Sequence, residues 1–286
     1  MAAEFLLLAH SHGVAFLDAV TDWRARVPLA GTPDPRFGST FQGWFGGTLP
    51  ARPLELALRL PGASERAIVA WVMPPGGPVG HLVEMVPGPG GAPQPKVNPA
   101  YVEVLREWRG RGPVVSMIRG NEHALTMLGR FPPYDFVDPE VPGVAAGVPV
   151  IDEGLLERYV TPWTDMVFHP LELARRDTGN RALHVPPPPP REKAEGARHL
   201  EEMGELVRQF GFVPERLRLK WYRRYCRQLR ARLECIGCDV LEAPPQALTP
   251  EGLLREEFAE GLTHGNRRYG ELVAAQVDAW IAGPAA

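Results

Sequence analysis

Short apolar runs alternate with segments of helical spacing along this chain, and this alternation limits the folds open to it more than any other feature. Apolar runs bounded by turn residues are typical of buried strands. Strands that alternate with helices predict βα units around a mostly parallel sheet. We therefore expect an α/β fold with buried strands at FLLLAH (5–10), PVVSMI (113–118), RALHV (181–185) and CDVLEA (238–243).

The remaining segments complete the expected order of elements. Further strands are predicted at ELALRL (55–60), RAIVAWVM (66–73) and HLVEMV (81–86). Helices are predicted at 12–25, 100–108, after the turn at 119–123, at 151–177 with a break near Pro162, within 191–236, near 250–259 and at 266–281. Glycine and proline punctuate the chain, and they predict loops at 28–53, 87–95 and 131–150.

Composition narrows the class of protein. The chain has 286 residues, a length that allows one large domain or two small ones, and its net charge of -3 gives no electrostatic pull toward nucleic acid or anionic membrane. The three cysteines, Cys226, Cys235 and Cys238, do not form a disulfide framework, and no apolar run is long enough to span a membrane. We expect a single cytoplasmic domain over 1–286 with insertions at 131–180 and 191–236.

Polar residues collect where the predicted strands end. His10-Ser11-His12-Gly13 follows the first strand, and Arg119-Gly120-Asn121-Glu122-His123 follows the 113–118 strand. The stretch EGLTHGN, with Glu260 and His264, comes shortly before the last helix. Parallel sheets carry their chemistry at the carboxyl ends of strands, so we expect these groups to share one edge.

A serine, a glycine loop, an asparagine and a late histidine, in this order, resemble the SGNH or GDSL-type hydrolases. Ser11 matches the first block of that family, Gly46 or Gly47 the second, Asn121 the third and His264 the fifth. The chain departs from the family pattern at His10, where an aspartate is usual, at Glu122, and at Gly261, where the aspartate partner of the histidine is usual. The resemblance implies a three-layer α/β/α sandwich with a mostly parallel sheet.

The resemblance also implies a serine-dependent acyl-ester hydrolase that forms an acyl-enzyme. Ser11 would be the nucleophile, His264 the base and Glu260 the acid that orients it. The oxyanion would be bound by Ser11, Gly46, Gly47 and Asn121. The substrate side would be lined by His12, Trp44, Phe45 and His123. The expected partner is a small-molecule or glycan ester, without cofactor, metal, nucleic acid or membrane, and the oligomeric state stays open.

Other interpretations compete with this one. The same fold could serve an acyltransferase or a catalytically inactive binding module, and the 191–236 helices could be a docking surface. Ser11 and Asn121 could cap the helices that follow them. The CxxC at Cys235 and Cys238 lacks the second pair that a structural zinc site needs. The basic and aromatic run from Lys220 to Arg232 favours a salt-bridged helix over a nucleic-acid surface.

Overall fold

The computed structural model describes residues 3–21, 54–58, 66–72, 82–91, 93–118, 134–193, 211–261 and 263–283. The strands in these ranges are β1 (Ala3–Ala9), β2 (Leu54–Leu58), β3 (Arg66–Val72), β4 (Val83–Pro87), β5 (Pro93–Val97), β6 (Val114–Met117), β7 (Asp135–Phe136), β8 (Val150–Ile151), β9 (Ala182–His184), β10 (Cys238–Val240), β11 (Ala259–Glu260) and β12 (His264–Gly265). The α-helices are α1 (Gly13–Val20), α2 (Pro99–Trp108), α3 (Glu153–Thr178), α4 (Glu215–Cys235) and α5 (Arg267–Ala282).

One mixed sheet forms the centre of the molecule, with the strand order β10-β9-β6-β1-β3-β2. Neighbouring strands from β10 to β3 are parallel, and only β2 runs antiparallel, at the edge beside β3. The α/β class and the mostly parallel sheet are therefore confirmed. Counted along the chain, the parallel strands take the order 2-1-3-4-5, one of the common doubly wound arrangements.

Helices cover both faces of this sheet. Side chains alternate along a strand, so Leu6 and Leu8 of β1 point to one face while Phe5 and Leu7 point to the other. The first face packs against α2, α3 and α4, and the second packs against α1 and α5. Both faces are buried, which explains why β1 is an almost continuous apolar run.

The ends of the helices are set by local capping. Asn98 accepts a hydrogen bond from the amide of Ala100 at 3.0 Å, at the start of α2. Asp152 caps α3 in the same way through the amide of Leu155, at 2.9 Å. Gly179 ends α3 with a φ of 68°, a left-handed conformation that glycine adopts without strain.

The predicted break of the long helix at Pro162 is wrong, because α3 continues through both Pro162 and Pro170. A proline leaves a helical carbonyl without its donor. For Pro162 this carbonyl is that of Arg158, whereas the hydroxyl groups nearby donate to other carbonyls, Thr161 Oγ1 to Glu157 at 2.7 Å and Thr164 Oγ1 to Thr161 at 2.9 Å. Burial of the helix against the sheet face stabilises it.

Three other local predictions also need correction. The predicted loop at 87–95 contains β5, which pairs antiparallel with β4 despite Pro93 and Pro95, as prolines can in a two-stranded ribbon. The predicted 131–150 loop contains β7, which pairs with β8. The predicted helix near 250–259 is instead a 3₁₀ turn at Glu256–Phe258 followed by β11.

A buried lysine fixes the 134–151 segment to α4. Lys220 Nζ donates to Asp135 Oδ1 at 2.6 Å and to the carbonyls of Phe136 and Gly143 at 2.7 Å each. All three protons of the ammonium group therefore have acceptors, which is what a fully buried charge requires. Further along α4, Arg227 pairs with Asp138 at 2.8 Å.

None of the helices in the described ranges combines the length and the apolar character that crossing a bilayer needs.

Candidate active site

The carboxyl ends of β1 and β6 form the switch point of the sheet. The chain leaves β1 to form β3 on one side and later returns to form β6 on the other side. Doubly wound sheets bind ligands in the crevice that this reversal opens. The amide of His10 donates to the carbonyl of Met117 at 2.9 Å, so the two strands stay joined up to the residue before Ser11.

Ser11 lies in the tight turn between β1 and α1. The amide of Gly13 donates to the His10 carbonyl at 2.9 Å, and the amide of Val14 donates to the Ser11 carbonyl at 3.1 Å. A Cβ atom at Gly13 would lie 2.6 Å from the Cβ of Ala9, so the turn requires glycine there. Ser11 is partly exposed, whereas His10 and His12 are buried.

Ser11 does not occupy the capping position of α1. The N-cap residue is His12, and its side chain makes no capping hydrogen bond.

The stretch EGLTHGN forms a short hairpin followed by a helix cap. β11 and β12 pair antiparallel, with Glu260 directly opposite His264, and Gly261 in the turn has a φ of 59°. Directly opposite residues have Cβ atoms about 4.5–5.5 Å apart on one face of the pair. Asn266 then caps α5 by accepting from the amides of Arg268 at 3.0 Å and Tyr269 at 3.3 Å.

His264 carries a neutral ring in this environment. Burial lowers the pKa of His264 to about 4, so the imidazole is uncharged near neutral pH although the residue keeps some exposure. Its Nδ1 lies 3.1 Å from the hydroxyl oxygen of Thr263. If Nδ1 carries the proton and donates to this hydroxyl, Nε2 is the proton-accepting atom of the ring.

The helices that follow Ser11 and His264 meet at their first turns. Gly270 of α5 lies against α1 so closely that a Cβ atom on it would be 1.9 Å from the carbonyl oxygen of Ala15. Ser11 precedes Ala15 by four residues, and His264 precedes Gly270 by six. The segments that carry the two predicted catalytic residues are therefore each followed by a helix, and these two helices touch at Ala15 and Gly270.

A small apolar pocket lies between these helices and the carboxyl ends of β6 and β9. The residues that line it include His12, Phe16, Met117, Val185, Tyr269 and Val273. His12 is the residue directly after Ser11, so the pocket begins at the Ser11 turn.

Arg191 holds the hairpin against the rest of the molecule. Its guanidinium pairs with the carboxylate of Glu256 and also donates to the carbonyl of Gly261, in the hairpin turn. The amide of Lys193 donates to Glu256 at 2.9 Å. The guanidinium-carboxylate pair, supported in this way, fixes the chain on both sides of Glu260.

The five prolines before Arg191 are buried beside the pocket. Proline has no amide proton, so a buried irregular stretch of prolines leaves no donor unsatisfied. Its carbonyls still need partners: Pro187 accepts from the hydroxyl of Tyr222 at 3.1 Å, and Pro190 accepts from the amide of Leu254 at 2.9 Å.

A second serine-histidine pair, which sequence reasoning missed, lies inside the sheet layer. Ser116 Oγ and His184 Nδ1 are 3.2 Å apart on the neighbouring strands β6 and β9. Both residues are 0% exposed, burial lowers the pKa of His184 to about 3, and its Nε2 makes no hydrogen bond to any described residue. A substrate cannot reach this pair, so we assign it a structural role. The signal in the sequence was one polar residue within each of two apolar runs.

Several predicted site residues lie outside the described residues. They are the oxyanion-hole candidates Gly46, Gly47 and Asn121 and the substrate-side candidates Trp44, Phe45 and His123. Among the residues that the structure describes, no group of three or more His, Cys, Asp or Glu side chains is arranged to hold a metal ion.

The CxxC motif and the basic run of α4, the two other motifs of the sequence, lie in environments that account for them structurally. Cys235 is exposed at the end of α4, whereas burial raises the pKa of the Cys238 thiol to about 12, which keeps it protonated. Most arginines of α4 pair with carboxylates, among them Arg224 with Glu153 and Arg232 with Asp165.

Comparison with known proteins finds no matching family model, no similar curated protein and no similar solved structure.

Proposed function

We propose that this protein is a serine-dependent acyl-ester hydrolase with Ser11 as nucleophile, His264 as general base and Glu260 as the carboxylate that stabilises the imidazolium from across the hairpin. The observation that carries the proposal is the register of the hairpin, which sets Glu260 opposite His264 just before α5. Since the first turn of α5 packs on the first turn of α1, this pair and the Ser11 turn lead into the same contact.

The geometry supports a two-step reaction. In the first step the Ser11 hydroxyl attacks the ester carbonyl, its proton passes to His264, and the alcohol leaves with that proton. In the second step a water gives its proton to His264 and attacks the acyl-enzyme, which releases the acid and restores the serine. The resemblance assigns the oxyanion to the Ser11 amide, Gly46, Gly47 and Asn121, and each such donor contributes about 2.7–4 kcal/mol.

The charge state of His264 has two consequences for this role. A base must be neutral before it accepts the serine proton, and burial, which lowers the pKa of His264 to about 4, keeps the ring neutral but also makes it a weaker base than an ordinary histidine. The imidazolium that forms needs a carboxylate nearby, and Glu260 is the residue directly opposite His264 in the hairpin. We propose a small-molecule or glycan ester as substrate and the cytoplasm as the place of action.

Hydrolysis of p-nitrophenyl acetate and of acetylated saccharides tests the proposal. Ser11→Ala should abolish hydrolysis, while Ser116→Ala, which alters the buried serine-histidine pair instead, should retain it. Hydrolysis that survives Ser11→Ala would contradict the proposal. Saturable ester binding without turnover would favour the binding module, and acyl transfer to an added alcohol at the expense of hydrolysis would favour the transferase.

A further inference from the structure

The lining of the pocket between α1, α5 and the carboxyl ends of β6 and β9 indicates which chemical group could bind there. Its walls are almost entirely apolar, with Phe16 of α1 and Val273 of α5 on the helix side. Val185, just past β9, and Met117, at the end of β6, form the sheet side. An apolar, water-poor lining favours a hydrocarbon group over a sugar ring or a charged group.

The space inside the pocket is small. It has room for about one water-sized group. The close contact of Gly270 with Ala15 prevents the two helices from closing further. Buried side chains with defined neighbours surround the space, so it cannot expand without moving the helices.

The pocket is partly open and lies beside the proposed nucleophile. His12 lines it and is bonded directly to Ser11. Two backbone hydrogen bonds hold the turn that carries Ser11 and His12, from the amide of Gly13 to the His10 carbonyl and from the amide of Val14 to the Ser11 carbonyl.

We infer that this pocket is the acyl site and that it restricts the protein to short-chain acyl esters, with acetyl as the preferred group. The inference rests on the proposed function and adds the acyl half of the substrate to it. A methyl group fills the available space, whereas each additional methylene meets Phe16 or Val273. One methylene too many in a tight apolar pocket changes kcat/KM by about tenfold or more.

Val273→Ala tests the inference by enlarging the pocket. The matched control is Val277→Ala, which removes the same two methyl groups one helical turn further along α5, from a residue that is buried but does not line the pocket. The kcat/KM values for p-nitrophenyl acetate, butyrate and hexanoate are measured for both variants and the wild type.

The wild type should prefer acetate over butyrate by about tenfold or more. Val273→Ala should raise the butyrate-to-acetate ratio by about tenfold, and Val277→Ala should leave this ratio at the wild-type value. Hydrolysis with no such preference, or with equal ratios in the two variants, would overturn the acyl-site assignment and leave the proposed function standing. A wild type that hydrolyses none of the three esters would overturn both.

Discussion

Gly270 of α5 lies against the backbone of Ala15 in α1, with room for a hydrogen atom but none for a methyl group: a Cβ atom would be 1.9 Å from the Ala15 carbonyl oxygen. This contact sets the distance between the two helices that follow the predicted nucleophile and the predicted base. It therefore links the packing of the molecule to the geometry of the candidate site.

Gly270→Ala should destabilise the protein even though alanine is the better helix former. The added methyl group meets backbone atoms, so the helices must separate, and overpacking of this kind costs about 1–3 kcal/mol in the free energy of unfolding. Urea denaturation measures the change. Gly154→Ala in α3 is the control, because its nearest neighbour would lie at an ordinary 3.4 Å, and it should be neutral or stabilise by up to about 1 kcal/mol. Equal effects of the two substitutions would contradict the close contact.

Glu260→Gln should slow ester hydrolysis while it leaves the fold intact. The amide has nearly the shape of the carboxylate but cannot stabilise the imidazolium, and general base catalysis contributes about 10²–10⁴-fold to such reactions. We expect kcat to fall by at least about tenfold with little change in KM. Glu257→Gln, at an exposed position three residues earlier, should keep full activity. A Glu260→Gln variant as fast as the wild type would remove Glu260 from the mechanism.

Two histidines, His184 fully buried and His264 partly buried, should make the protein less stable in acid. Burial lowers the pKa of His184 to about 3 and that of His264 to about 4. A histidine in the unfolded chain has a pKa near 6.5, so the unfolded state binds protons more tightly. Both contributions to stability are therefore present above about pH 6.5 and are lost as the pH falls toward the folded-state values.

His184→Gln removes one of these two titrations. Between pH 6.5 and 4.5 its free energy of unfolding should fall by about 2 kcal/mol less than that of the wild type, as urea denaturation at each pH will show. Ser116→Ala changes the hydrogen bond but keeps the titrating ring, so its pH dependence should follow the wild type. An unchanged pH dependence in His184→Gln would mean that the ring is protonated as easily in the folded protein as in the unfolded one.

The central strands of the sheet could be predicted from the sequence because their environment is uniform. β1, β6 and β9 are covered on both faces, so their buried residues are apolar apart from Ser116 and His184, and each run is bounded by polar or turn residues. The position of Ser11 at the end of β1 follows from the same pattern, since a parallel strand must turn into its crossover there.

Elements that depend on tertiary partners could not be predicted in this way. Pro93 and Pro95 argue locally against a strand, and β5 forms only because β4 lies beside it. Pro162 argues for a helix break, yet α3 continues through it and packs against the sheet face. Helices α3 and α4, which fall within the ranges predicted as insertions, cover one face of the sheet.

The candidate site was predictable in its residue types and less so in its geometry. Glu260 precedes His264 by four residues, a spacing that by itself does not distinguish a helical turn from a hairpin. The left-handed backbone conformation of Gly261 and the hydrogen bond from Arg191 to its carbonyl favour the hairpin. The Ser116–His184 hydrogen bond joins residues 68 apart and depends on the strand order, which no local pattern encodes.

The most direct test of the central claim is fluorophosphonate labelling of the purified protein, with peptide mass spectrometry to locate the adduct. An activated serine reacts with this probe, whereas an ordinary serine hydroxyl does not. We expect a single adduct on Ser11 that is lost in His264→Ala and retained in Ser116→Ala. No adduct, an adduct on another residue, or labelling of Ser11 that is indifferent to His264 would contradict the account.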